Sequence, residues 1–165
     1  MAASTPPPMQ WVSVLSTRPS LEAAIAEVVE RATSALGTAP HLGIVFISSA
    51  FTSEYSRLMP LLQSHLPEVP LIGCGGAGVI GMAPTNEPRE VEGEAAIALT
   101  LAHLPQVNVH PFHLAPDGLP DLDSPPAAWA DLIGVAPTEQ PQFILFADSA
   151  FSKITDLLQG LDFAF

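Results

Sequence analysis

The sequence is short of positive charge. Five Lys and Arg stand against 17 Asp and Glu in 165 residues, a formal net charge of −12. Nucleic-acid binding takes its affinity from Lys and Arg on phosphates, so the balance speaks against that class. It speaks equally against an anionic membrane surface. One cysteine, Cys74, rules out an internal disulfide and fits a reducing compartment, so a cytoplasmic location is expected. No apolar run approaches the roughly 18 residues of a spanning helix. Residues 1–9 lack the basic and apolar regions of a signal peptide and read as a disordered lead-in. No internal repeat is present.

What is abundant is core material. Hydrophobic residues make up 48% and charged residues 13% of the chain, enough to bury a core in one domain over 10–165. Residues 10–16 (QWVSVLS) read as a strand stopped by Arg18-Pro19. Ser20 is a natural N-cap. Leu21, Ile25, Val28, Val29, Ala32 and Leu36 then recur at helical spacing up to Gly37. Glu22, Glu27, Glu30 and Arg31 fall on the other side, as a solvated face. Residues 42–48 (LGIVFIS) are apolar enough for a strand covered on both faces. A helix through Tyr55, Leu58, Leu62 and Leu66 follows, capped by Thr52 or Ser53. Pro60 either kinks it or opens a second helix.

Beyond Pro88, residues 94–104 and 107–114 are separated only by Pro105-Gln106, which predicts an antiparallel hairpin. A short helix starting at proline is expected near 126–133, a doubly covered strand over 142–147, and a last helix after Phe151 carrying Ile154, Leu157, Leu158 and Leu161. The predicted fold is α/β: a layered, mixed sheet with a largely parallel βαβαβ first half and an antiparallel hairpin, flanked by helices. Phe163 and Phe165 are expected to face residues beyond position 165, in a chain that continues past that point.

Four glycines fall in six positions, Gly73, Gly75, Gly76 and Gly78, with Gly81 close behind. Such density calls for positive φ, close backbone approach, or amides turned toward a ligand. The Gly73-x-Gly75-x-x-Gly78 spacing matches a dinucleotide fingerprint. Gly81, Pro84 and Pro88 leave no room for the helix that the fingerprint needs. A structural turn or a non-nucleotide anion site remains, and no cofactor is expected.

Three apolar strands thus end in small or polar residues: Ser48-Ser49, Gly73-Cys74-Gly75-Gly76, and Asp148-Ser149. Ligands of open α/β sheets collect beyond strand carboxyl ends. As parallel neighbours, these ends would suit a small zwitterion, with amides for its carboxylate and Asp148 for its ammonium. Helix capping by Ser49 and Asp148 explains the same residues equally well. Cys74 or Ser49 as a nucleophile is the enzymatic alternative, and an interaction module without small ligand is the third. A buried, inert thiol is the commoner state of a lone cysteine. His110 and His113 fall on opposite faces of their predicted strand, and Asp117, Asp121 and Asp123 lack the EF-hand pattern, so no metal is expected. His41, His65 and His103 read as boundary residues.

In chain order, the Trp11 strand, 42–48, 71–81 (LIGCGGAGVIG) and 143–151 (FILFADSAF) resemble the N-terminal part of the FIST domain. The resemblance spans nearly the whole chain, and the glycine segment is its most specific part. It implies a sensory, small-ligand-binding module of signal-transduction proteins, with amino acids as the proposed ligands and a C-terminal FIST domain downstream. That second domain, and a further glycine-rich segment, do not occur within the 165 residues. The resemblance implies no catalytic residues, so the ligand-binding candidates stay those of the strand ends.

Overall fold

Helix α1 (Leu21–Leu36) forms as its pattern predicts. Ser20 accepts the Ala23 N–H, and Gly37, at φ 66°, donates its own N–H back to Thr33. Leu21, Ala24, Ile25, Val28, Val29, Ala32 and Leu36 are buried, and each large side chain among them contributes roughly 1.5–3 kcal/mol. The computed structural model describes residues 8–165, so residues 1–7 of the expected lead-in lie outside the described residues. The chain divides into two compact units, one ending at Val109 and one starting at His110.

The first unit is built on β1 (Gln10–Ser16), β2 (Leu42–Ser48), β3 (Leu71–Gly76) and β6 (Ile97–His103) in the order β1-β6-β2-β3. Helix α2 (Tyr55–His65) joins α1 on one face, over Val14, Val45, Ile47, Ile97, Leu99 and Leu101. Hairpin β4 (Gly78–Met82) and β5 (Pro88–Glu92) packs on the other face through Val79, Val91, Leu15 and Ala98. The sheet is mixed. β1, β2 and β3 all run in one direction, but only β2 and β3 pair directly in parallel, because β6 lies antiparallel between β1 and β2. The reason is burial. Ile97, Ala98, Leu99, Leu101 and Ala102 are all at most 2% exposed, and a strand that apolar on both faces belongs in the middle of a sheet.

The same placement removes the predicted hairpin of 94–104 with 107–114. Both edges of β6 are taken by β1 and β2, so residues 107–114 have no edge to join and form no strand. Pro105-Gln106 does turn the chain, with Gln106 at φ 67° and the Val107 N–H on Leu104 O. Ahead of α2, residues Ser49–Glu54 form a 3₁₀ turn in which Thr52 Oγ1 donates to Ser49 O, so neither Thr52 nor Ser53 caps α2. Pro60 lies inside α2 and opens no second helix.

The second unit contains α3 (Pro126–Ile133) and α4 (Ile154–Ala164) around Trp129, Ile133, Leu157 and Leu161. Residues 142–147 form no strand, which corrects that prediction: the unit holds no strand among its described residues, hence no ladder for them. Phe143 and Leu145 pack instead on the helical cluster, while Ile144 is exposed. Phe163 is exposed, but Phe165 meets Phe143 edge-on at 5.2 Å, so only one of the two terminal aromatics is left outward. Among the described residues, no helix is long and apolar enough to cross a membrane.

Candidate functional site

The carboxyl ends of β2 and β3 lie side by side, as a ligand site at strand ends requires. Phe46 is in register with Cys74, Ile47 with Gly75, and Ser48 with Gly76. The glycines here are not a turn and not a positive-φ nest. None of Gly73, Gly75, Gly76, Gly78 or Gly81 is among the positive-φ residues, which are Gly37, Gly93, Gly134 and four non-glycines. Close approach is what demands them. A Cβ on Gly73 would sit 1.8 Å from the Val45 carbonyl oxygen. One on Gly75 would meet the Tyr55 hydroxyl at 2.7 Å, and one on Gly81 would press on Leu15 and Ala98. The expected turn is therefore corrected to two strands, β3 and β4, joined at Ala77.

Each predicted site residue has a definite place. Ser48 is 1% exposed; its Oγ accepts the Ala96 N–H at 3.0 Å and its N–H donates to Ala96 O. That hydroxyl closes the sheet rather than opening onto solvent. Ser49 is exposed, at the start of the 3₁₀ turn. Gly73, Cys74 and Gly75 are exposed and Gly76 is half-buried. The thiol is therefore not the buried one expected of a lone cysteine. Asp148 and Ser149 belong to the second unit, both exposed. There Asp148 Oδ1 accepts the Ala150 N–H at 2.7 Å and Asp148 O accepts the Phe151 N–H, so the aspartate holds a local turn. The premise that placed these two beside the others, a third strand over 142–147, does not hold.

Among the described residues, neither Cys74 nor Ser49 has a base within hydrogen-bond reach of its nucleophilic atom, which activation would need. Tyr55 is a neighbour the sequence reading missed. Its hydroxyl donates to Ser48 O at 3.2 Å and lies against Gly75. The bare α-carbon at position 75 is the only trace of it in the sequence.

Two groups expected to be ordinary surface are more tightly held. His41 and His103 stack with centroids 4.6 Å apart; His41 Nδ1 accepts the Leu104 N–H, and His103 Nδ1 lies 2.9 Å from Ala39 O. No set of three metal-ligating side chains gathers among the described residues. On α1, Arg31 leaves the solvated face. Its Nη1 donates to Leu15 O at 2.7 Å and its Nη2 to Met82 O at 3.1 Å, tying helix, β1 and β4 together. Glu27 takes the Ser16 hydroxyl at 2.5 Å and the Arg18 guanidinium at 3.4 Å. Elsewhere on the surface, the carboxyl of Glu22 is held below the usual glutamate range by hydrogen bonding from its own backbone, then by Arg57 and Ser20.

The fold and strand ends define an α/β unit followed by a small helical unit, with a glycine-built parallel strand edge. The FIST N domain family matches residues 41–165, and the chain belongs to that family, whose members are sensory domains of signal transduction. No curated protein matches the chain.

Proposed function

We propose that the chain is the ligand-recognising part of a cytoplasmic signal-transduction protein, acting ahead of a C-terminal FIST domain. Its ligand is a small metabolite of the amino-acid class, taken up where β2 and β3 end. The observation that carries this is the exposure of Gly73, Cys74 and Gly75 beside Ser49, on strands in parallel register. β3 stands at the edge of the sheet, so part of its backbone is not taken up by a neighbouring strand. With only five Lys and Arg in the chain, an anion held by backbone amides suits it better than one held by an arginine cluster. Ligands with several phosphates would meet the net charge of −12 and bind poorly.

Cys74 makes the test direct, because it is exposed at the proposed site. A panel of amino acids, dipeptides and small metabolites is screened by thermal shift, and each hit is tested for slowing maleimide labelling of Cys74. One ligand at a hundred times its dissociation constant stabilises by about 2.7 kcal/mol, a shift of several degrees. The expected result is a hit that also protects the thiol. If no member of the panel shifts the melting temperature, the reading is wrong.

A further inference from the structure

Beside α1 runs a groove of about 880 Å³, lined by Ala23, Ala26, Glu27, Glu30, Arg31, Ser34 and Ala35 of the helix, by Val14 and Arg18, and by Asn86. Its size lies within the range of small-molecule sites. Small side chains open the helix flank, and the charged ones are of both signs.

Arg31 is the unusual member. The residue is half-buried, and its guanidinium is pinned by two neutral carbonyls, Leu15 O and Met82 O. Among the described residues it is in no ion pair, although the chain has 17 carboxylates. Arg18 and Arg57, by contrast, both have glutamate partners. A guanidinium has five N–H donors, and Arg31 uses one on each carbonyl. The rest belong to a cation whose position is already fixed, so binding an anion would cost little further ordering. Next along the helix, Glu30 is exposed and makes no side-chain hydrogen bond among the described residues. Glu27 is already committed to Ser16 and Arg18.

The geometry points to a binding site for a small zwitterion in this groove, with Arg31 taking the carboxylate and Glu30 the ammonium. Charge selects the class. A multiply charged anion would face Glu27, Glu30 and the net charge of −12, and a simple cation would face Arg18 and Arg31. A ligand with one charge of each sign, close together, meets neither penalty. The groove shares no residue with the β2–β3 strand ends, so the two readings stand or fall separately.

The probe is glycine, titrated into the 165-residue chain and followed by amide NMR. Shifts are expected at Glu30, Arg31, Ser34 and Asn86, with acetate or methylammonium alone far weaker. Arg31→Lys should weaken glycine binding about tenfold or more, the scale of a charge-assisted hydrogen bond. Arg31 also ties elements together, so Glu30→Gln provides the second variant. The Glu30 side chain makes no hydrogen bond or ion pair among the described residues, and Glu30→Gln should weaken glycine while leaving the melting temperature unchanged. Glycine shifts confined to residues 48–49 and 73–76 would overturn the groove and leave the strand-end site standing. Glycine binding unchanged by Glu30→Gln, or no shift at the groove, would also overturn it.

Discussion

Replacing Gly73 by alanine adds one methyl group and should disable the parallel ladder. The new Cβ would lie 1.8 Å from the Val45 carbonyl oxygen and 2.7 Å from its carbon, whereas real Cβ contacts essentially never fall under 3.0 Å. The obstacle is backbone, so no rotamer change relieves it. β3 must draw away from β2 by more than an ångström at this point. The Gly43 N–H to Pro70 O bond at 2.9 Å shows how little slack the ladder has, since such bonds weaken steeply when stretched. Losing two ladder bonds costs about 2 kcal/mol, and the strain adds about 1–3 kcal/mol. Alanine returns roughly 0.5–1 kcal/mol through lower chain entropy. The net loss is about 3 kcal/mol, or roughly 10 °C in melting temperature for a chain of this length. Thermal unfolding followed by circular dichroism measures it. Gly118→Ala is the control: nothing lies within 4 Å of its Cβ and its φ is unstrained, so it should change stability by less than about 0.5 kcal/mol. Equal melting temperatures for the two variants would refute the account of why the glycines are there.

Gly75→Ala should be milder, because its Cβ meets the movable Tyr55 hydroxyl; the expected loss is about 1 kcal/mol, that of the Tyr55 bond to Ser48 O, read in the same melts. Gly160→Ala should destabilise although it improves helix propensity by about 1 kcal/mol, because its Cβ would lie 2.3 Å from the ring of Trp129, which is 0% exposed; a rise in melting temperature would contradict that packing. Glu22 titrates below the ordinary glutamate range because its charged form is hydrogen-bonded. A depressed folded value means its contribution is fully present above the unfolded value of about 4.3 and lost as pH falls through the lower, folded one. Carboxyl-carbon NMR against pH tests this, and Arg57→Gln should move the midpoint up.

Local pattern carried much of the first unit. The α1 face, its Ser20 and Gly37 ends, and β1 and β2 all follow from spacing, because each repeats one signal over several residues. Strand order did not follow. β6 reads as one apolar run whether it sits at an edge or in the centre, and only the competition for its two edges places it between β1 and β2. Hairpin β4–β5 was hidden because its second strand, PREVE, buries Val91 alone. The glycine run was visible, but three physical causes fit it equally, and close approach depends on neighbours distant in sequence, Val45, Tyr55 and Leu15. Arg31 was missed for a related reason. Helical periodicity assigns a residue to a face, whereas a long side chain can leave that face to reach carbonyls 16 and 51 residues away.

Asp148 is where capping and ligand binding were inseparable in the sequence, and its observed bond makes them separable. Its Oδ1 accepts the Ala150 N–H at 2.7 Å. That role needs an oxygen acceptor and no charge, and asparagine supplies one in the same turn. Holding an ammonium needs the carboxylate. Asp148→Asn should therefore leave the unliganded melting temperature nearly unchanged, while Asp148→Ala, which removes the acceptor, should lower stability by about 1 kcal/mol. Both variants are then compared for affinity toward whichever amino acid shifts the wild-type melt. Asp148→Asn binding several-fold more weakly at equal stability would give the carboxylate a part in recognition. Unchanged affinity in Asp148→Asn, with only Asp148→Ala impaired in stability, would leave this residue as a turn former and nothing more.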